Sequence, residues 1–239
     1  MKYSTSDYGV CQINATCQSG STGFICEQIS KYLNEAGIRN YILYSEGKSH
    51  LENSYKYLTA IELKINALIA RIFGNYGFVG GLSTFRIKKF INKYNIKLVH
   101  FHNVHGNNIN FKRIFKFLIK KNIRIIYTFH DCWAFTGYCT HFLNAHCNKW
   151  KDVCFQCPLR RKFSLLIDKS YKNKKVKIDL INKSNAIIIT PSNWLAECVK
   201  ETGIRNSVFV INNGIDLSIF NQNINIKKDH LLSSEKKMI

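Results

Sequence analysis

Four cysteines in the middle of the sequence are spaced as metal ligands often are. They follow the pattern C-x(7)-C-x(6)-C-x(2)-C and are Cys139, Cys147, Cys154 and Cys157. Two thiolates separated by two residues can bind one ion from a tight turn, and a structural zinc ion takes four such ligands. The pattern therefore predicts a structural zinc site and no catalytic metal, because four thiolates leave no open position. The alternative is that the thiols stay free and pack as small apolar side chains.

Two histidine clusters follow apolar runs. His100, His102 and Asn103 belong to His-Phe-His-Asn-Val-His-Gly, and His130 and Asp131 belong to Thr-Phe-His-Asp. Residues two apart in a strand share a face, so the first two histidines are expected side by side. His102 and Asn103 are candidates for binding a hydroxyl, although one histidine of the pair could equally be a core residue. His130 is expected in a crevice, where Asp131 would either orient it or cap the next turn.

A third polar cluster near the N-terminus consists of Gly20, Ser21, Thr22 and Gly23. Glycines let backbone amides approach a ligand, and the start of the following helix favours an anion. The cluster matches neither the phosphate-binding G-x(4)-G-K-[ST] pattern nor the dinucleotide-binding G-x-G-x-x-G pattern. A ligand-binding loop and a simple turn with a Ser/Thr helix cap both remain open.

Alternating strands and helices are expected to position these clusters. Short apolar runs predict six strands, at 10–13, 41–44, 98–101, 123–129, 186–189 and 208–211. Apolar residues at helical spacing predict six helices, at 25–36, 63–73, 84–94, 109–119, 165–181 and 194–199. This alternation predicts a Rossmann-like, doubly wound parallel α/β sheet, interrupted by a glycine-rich loop at 75–83 and a Cys-rich insert at about 132–158. Ligands of such sheets gather beyond the carboxyl ends of the strands.

The composition fits a folded, strongly basic chain of 239 residues. Hydrophobic residues make up 46%, which argues against global disorder. The 35 Lys and Arg against 15 Asp and Glu give a formal net charge of +20, which should attract polyanions but does not choose among nucleic acid, anionic lipid and phosphorylated substrates. The sequence contains neither a spanning apolar stretch nor a secretion signal, so a cytosolic location is the default. Disulfides are rare in the cytosol, so the nine cysteines need an explanation other than disulfide bonding.

Motifs along the chain resemble those of one known enzyme family. They are Val-Cys-Gln-Ile-Asn (10–14) before Gly-Ser-Thr-Gly, the two histidine clusters, Cys-Phe-Gln-Cys-Pro (154–158), Thr-Pro-Ser-Asn-Trp-Leu (190–195) and Val-Ile-Asn-Asn-Gly-Ile-Asp (210–216). Together they resemble family 4 glycosyltransferases, in particular the colanic-acid and capsule type of bacterial polysaccharide clusters. The resemblance covers roughly residues 10–220. Each motif is weak alone, and the combination is specific.

The resemblance implies a GT-B architecture, in which two Rossmann-like domains face each other across a cleft. It implies retaining sugar transfer from a nucleotide sugar to a glycan or lipid-linked glycan, without a catalytic metal. Residues 1–216 would form the N-terminal, mainly acceptor-binding domain. His130 would lie beside the transferred sugar as the catalytic residue, and Gly20–Gly23 would approach the donor phosphates or the acceptor. The crossover into the second domain would contain Asn213, Gly214 and Asp216.

The chain departs from the family pattern in three places. Phe24 stands where this subgroup commonly has Arg, and the first eight residues are longer and more polar than the usual start. Residues 217–239 form only a short tail without the E-x(7)-E motif of the donor-binding domain. A second domain would need about 100–150 more residues, so it is expected to be missing. The leaving phosphate would then lack its stabilising groups, and the chain alone is expected to have little or no transferase activity.

The basic charge suggests an anionic membrane surface as a partner. Residues 86–90 and 111–117 mix cations with aromatics, which suits the anionic inner face of the plasma membrane. The alternative is that these lysines and arginines cover solvated helix faces.

Two further functions stay open: a zinc-stabilised basic module that binds nucleic acid, and a non-catalytic module that binds glycans or a partner chain. No helix-turn-helix, RNA-recognition or two-Cys-two-His pattern supports nucleic-acid binding.

Overall fold

One parallel sheet of seven strands organises the protein. A computed structural model describes residues 8–215 and 217. Within them the strands are β1 (Gly9–Thr16), β2 (Asn40–Glu46), β3 (Ser54–Lys56), β4 (Ile96–Phe101), β5 (Arg124–Thr128), β6 (Ile187–Thr190) and β7 (Val208–Val210). Their order in the sheet is β3-β2-β1-β4-β5-β6-β7, and every neighbouring pair is parallel. The sheet therefore grows in both directions from β1, as in a doubly wound fold.

Helices make the crossovers between the strands. They are α1 (Gly20–Glu35), α2 (Ala60–Phe73), α3 (Gly81–Lys93), α4 (Phe111–Lys120), α5 (Arg160–Phe163), α6 (Ser170–Ser184) and α7 (Asn193–Lys200). Because parallel crossovers are right-handed, the reversal of strand order at β1 puts helices on both faces of the sheet. The fold class predicted from the sequence is confirmed.

Helix α4 packs the apolar residues of its periodic sequence pattern into the core. Phe111, Ile114, Phe115 and Leu118 recur at helical spacing and are all fully buried. The rings of Phe111 and Phe115 stack with centroids 4.1 Å apart, and the Phe115 ring lies 5.2 Å from that of Phe101 in β4. Asn110 begins the helix by accepting a hydrogen bond from the Arg113 amide at 3.0 Å. The exposed lysines lie on the opposite side of this helix.

Two local predictions are wrong, and one strand was missed. Gly20–Gly23 is the first turn of α1 and not a loop. The helix predicted from residue 165 begins at Ser170, because the Asp168 carboxylate accepts a hydrogen bond from the Ser170 amide at 2.8 Å and ends the preceding extended segment. Strand β3 was not predicted, because its three residues at the sheet edge carry no apolar run.

Helix α2 exposes an apolar face. Ala70 is its only buried residue, whereas the side chains spaced along one side are 40–73% exposed: Ile61, Ile65, Leu68, Ile69 and Phe73. A capping box between Thr59 and Glu62 begins the helix, and Gly74 in the left-handed conformation ends it. No helix in the described part of the chain is long and apolar enough to cross a membrane.

Candidate functional site

A crevice opens at the carboxyl ends of the strands, beside the point where strand order reverses. Its cavity volume is about 230 Å³. It is lined by side chains of α1, by the ends of β4 and β5, and by the chain after β7, namely Ile25, Gln28, Ile29, Tyr32, His100, His102, Thr128, His130, Ile189 and residues 211–215. This is where ligands bind to doubly wound sheets.

Three histidines meet in this crevice. The rings of His100 and His102 lie 4.0 Å apart, as the two-residue period of a strand predicts. His130, from the end of β5, brings its Nε2 within 3.1 Å of Nδ1 of His102. His102 is buried, and its Nε2 lies 3.2 Å from Oε1 of Gln12 in β1. Nε2 of His100 lies 2.8 Å from the Thr128 hydroxyl.

The Gln12 amide determines which nitrogens carry protons. Its Nε2 donates to the carbonyl of Cys26 at 2.9 Å, so its Oε1 is the atom that faces His102. His102 must then donate through Nε2–H, and its Nδ1 carries a lone pair that accepts from Nε2–H of His130. Nδ1 of His130 is left as a lone pair with no hydrogen bond from the described residues. The crevice therefore offers a hydroxyl group a neutral imidazole acceptor.

Burial keeps these histidines neutral. It lowers the pKa of His100 to about 3, with a smaller contribution from the charge of His130. It lowers the pKa of His102 well below the ordinary value, helped by the two neighbouring imidazoles. The pKa of His130 is lowered by burial as well, against the opposing effect of the Asp131 carboxylate. At neutral pH the crevice holds three uncharged rings.

Asn14 connects the other two polar clusters. Its side chain is fully buried at the end of β1, where Oδ1 accepts from the Asn103 amide at 3.0 Å. Its Nδ2 donates to the Thr22 hydroxyl at 3.2 Å and to the Thr16 carbonyl at 2.9 Å. Thr22 and Asn103 are therefore joined through one side chain. This places the glycine-rich turn and the first histidine cluster at the same end of the sheet.

Asp131 caps the turn that follows it. Its Oδ1 accepts from the Trp133 amide at 2.8 Å, and its Oδ2 lies 2.8 Å from Nε2 of His105. Of the two roles predicted for this carboxylate, the structure displays the cap, and the imidazole it contacts is that of His105. Its effect on His130 is electrostatic.

The predicted site residues fall into three groups. His102, His130, Asn213 and Gly214 line the crevice. Asn103, Asp131 and the turn of Gly20, Ser21, Thr22 and Gly23 lie outside its lining, and Asp216 lies outside the described residues. The four cysteines line a separate small cavity in the insert.

Sequence reasoning missed Gln12, Asn14 and Asn212. Gln12 and Asn14 are polar residues in an otherwise apolar strand, and both are fully buried. A buried amide needs partners, and this was the signal available in the sequence. Asn212 donates through Nδ2 to the Pro191 carbonyl at 3.1 Å and so ties the Thr-Pro-Ser motif to the crevice wall.

Comparison with known proteins gives two matches. A family model described as Glycosyltransferase Family 4 matches residues 24–219. The "Putative colanic acid biosynthesis glycosyl transferase WcaC" of Escherichia coli (strain K12) is 24% identical over 226 residues. That alignment covers 87% of this chain and 55% of the relative, so the chain spans about half the length of the curated relative it matches.

Proposed function

Because the chain belongs to glycosyltransferase family 4, we propose that it is the acceptor-side part of a retaining glycosyltransferase that works in surface polysaccharide biosynthesis. Its donor would be a nucleotide sugar and its acceptor a glycan or lipid-linked glycan. The observation that carries the proposal is the convergence of His102, His130 and Asn213 on one crevice at the reversal point of the sheet. Uncharged polar groups in a concave site suit recognition of sugar hydroxyls.

The histidine relay gives the crevice its proposed chemistry. In glycosyl transfer, positive charge develops at the anomeric carbon while the sugar changes partners. A neutral His130 adds no opposing positive charge there, and its Nδ1 lone pair can accept a hydrogen bond from a sugar hydroxyl. Gln12 and His102 hold that tautomer in place. His130 would contact the sugar, and the other two are positioning residues.

The leaving phosphates need groups that this crevice does not supply. None of the described residues that line it is a lysine or arginine. The charge that builds on a departing nucleotide diphosphate requires preorganised hydrogen-bond donors. We therefore expect the 239-residue chain by itself to bind sugars and to turn over nucleotide sugar slowly or not at all.

Calorimetric binding tests the proposal. The probes are a panel of UDP- and GDP-linked sugars together with neutral oligosaccharides. We expect at least one to bind, and His130→Ala to weaken its binding about tenfold, since one hydrogen bond to the ligand is lost. His50→Ala, at an exposed position, is the control and should bind normally. Absence of binding by the whole panel, or equal binding by His130→Ala, would contradict the proposal.

We further propose that the apolar face of α2 lies on an anionic membrane surface that carries the lipid-linked acceptor. The sequence suggested residues 86–90 and 111–117 for this contact, but their apolar residues Ile87, Phe111, Ile114 and Phe115 are buried in the core. The exposed apolar face of α2 is extended at its C-terminal end by Leu165 and Leu166, whose amides donate to carbonyls of α2 at 2.8 and 3.2 Å.

Positive charge accompanies this apolar surface. Helix α5 next to the extension carries Arg160, Arg161 and Lys162. An apolar face flanked by lysines and arginines fits a surface of anionic lipids, where both burial and charge contribute to binding. The net charge of +20 supports the same choice of partner.

A substitution on α2 distinguishes contact with the membrane from the general effect of removing an exposed leucine. Leu68→Ser should reduce sedimentation with phosphatidylglycerol-containing vesicles at low salt, with an affinity loss of about tenfold. Leu143→Ser is the matched control, because the two leucines are 61% and 60% exposed. Binding to neutral phosphatidylcholine vesicles should be weak for all variants. Equal loss in both variants, or no binding of the wild type, would contradict the membrane proposal.

A further inference from the structure

We propose that the Cys-rich insert holds one structural zinc ion between the side chains of Cys139, Cys147, Cys154 and Cys157. All four line a single cavity of about 20 Å³. A space of this size admits about one water-sized sphere, so the four side chains face a small common volume. This site is separate from the sugar crevice and does not depend on the proposed function.

The four cysteines differ from the other five in their surroundings. Cysteines 11, 17, 26, 132 and 198 are buried, as expected for thiols that pack as apolar side chains. The four in the insert are only partly buried, although they gather around one space. Cys139 and Cys154 also pack against the hydrophobic core. What sets the four apart is that they share one cavity.

Regular secondary structure is sparse in the insert, which is held by the stacking of Phe142 on Trp150 and by hydrogen bonds from lysines. Between Cys139 and Cys157 the regular structure consists of one short 3₁₀ turn, Leu143–Ala145. Gln156 has φ of 44° inside the Cys-x-x-Cys turn, a conformation that costs a non-glycine residue about 1–2 kcal/mol. A bound zinc ion would add to this packing by linking the segments that carry the four cysteines.

Lysines surround the cavity with positive charge. Four thiolates and one Zn²⁺ carry a net charge of about −2, which a buried site must balance. Nζ of Lys174 donates to the carbonyls of Trp150 and Asp152 at 2.5 and 2.7 Å, beside the insert. Lys177 is fully buried on the same helix and donates to the carbonyl of Trp133. Burial lowers the pKa of Lys177 to about 7, so this group is only partly charged at neutral pH.

A third lysine binds the Cys-x-x-Cys turn directly. Nζ of Lys149 donates to the carbonyls of Phe155 and Gln156, each at 3.2 Å. The Cys157 amide in turn donates to the Asp168 carboxylate at 2.8 Å. The backbone around these two cysteines is therefore fixed on both sides. Such support of the ligand-bearing turn is typical of metal sites.

The sulfur atoms do not yet form a coordination sphere. In residues 8–215 and 217, no set of three or more His, Cys, Asp or Glu side chains is arranged to hold a metal ion. All four cysteines nevertheless line one cavity, and metal binding would require their sulfur atoms to move closer together.

Metal analysis of the whole chain tests the site. Purified in reducing buffer without chelators, the wild type should contain about one zinc ion per chain. Cys154→Ser and Cys157→Ser should contain only traces of zinc, whereas Cys132→Ser, a buried cysteine of the same segment, should keep it. Traces of zinc in the wild type, iron in its place, or equal loss in Cys132→Ser would overturn the proposal.

Cobalt substitution of the wild type tests the metal site even if the cysteine variants fail to fold. Wild-type chain freed of metal and loaded with Co²⁺ should show the strong visible absorption of a tetrahedral thiolate site, and zinc should remove it. Chelation should also lower the midpoint of thermal unfolding by about 10 °C or more. Weak, octahedral-type cobalt absorption would overturn the proposal. Because no sugar enters these measurements, their failure would leave the glycosyltransferase proposal standing.

Discussion

Acidification from pH 7 to pH 5 should lower the free energy of unfolding by about 2 kcal/mol through His100 alone, and His102 should act in the same direction. Burial depresses the pKa of both groups, that of His100 to about 3. In the unfolded chain each would titrate near about 6.5. Between these values the unfolded state binds protons that the folded state does not, so stability falls as the pH falls. Above about pH 6.5 both states are neutral, and the two groups no longer affect stability.

Denaturant unfolding is measured at several pH values for the wild type and for matched variants. The comparison separates the contribution of histidine titration from that of the carboxylates. His100→Gln can keep a hydrogen bond to Thr128 and does not titrate, so its loss between pH 7 and 5 should be about 2 kcal/mol smaller than that of the wild type. His50→Gln, exposed, should follow the wild type. A wild type and a His100→Gln variant with parallel pH profiles would show that His100 binds protons equally in the folded and unfolded states, which would contradict a lowered pKa.

Gly77→Ala should destabilise the protein by about 3–4 kcal/mol, because it combines backbone strain with overlap in the core. Gly77 has φ of +81°, and an added Cβ would overlap the ring of Trp133. That ring is itself fixed, with Nζ of Lys177 3.8 Å from its centroid. The carbonyl of Gly77 also accepts from the Phe111 amide at 3.0 Å, so the backbone cannot shift without disturbing the start of α4.

Gly37→Ala is the matched control for this prediction. Gly37 has a similar φ of +69°, but nothing lies within 4 Å of an added Cβ. It should show only the strain of the left-handed conformation, about 1 kcal/mol. Thermal or denaturant unfolding measures both variants, and the Gly77 variant should melt about 10 °C below the wild type. Equal effects at the two glycines would mean that the Trp133 contact carries no cost.

Strand positions and the fold class were predictable because apolar runs and helical periods are local properties of the sequence. The pairing of His100 with His102 followed from the two-residue period and is confirmed. The contact between His102 and His130 was not predictable, since it depends on the register of β4 against β5, which aligns Phe101 with Tyr127. No local pattern specifies that register.

The contact between His105 and Asp131 could not be predicted either, because it also joins residues far apart in the sequence. His105 lies 26 residues before its partner Asp131 (131 − 105), and only the folded loops bring them to 2.8 Å. The apolar period of α2 predicted a helix correctly, but periodicity does not say whether its apolar side meets the core or the outside. Gln12 and Asn14 were the site residues whose burial in an apolar strand could have been recognised in advance.

The most direct test of the proposed sugar site is the state of the His130 ring nitrogens, measured by NMR on the ¹⁵N-labelled chain at neutral pH. We predict a neutral ring protonated at Nε2, with an Nδ1 resonance that shifts when a binding nucleotide sugar or oligosaccharide is added, while the His50 resonances stay constant. A charged His130, a ring protonated at Nδ1, or an Nδ1 resonance indifferent to every sugar tested would contradict a crevice built to accept a sugar hydroxyl.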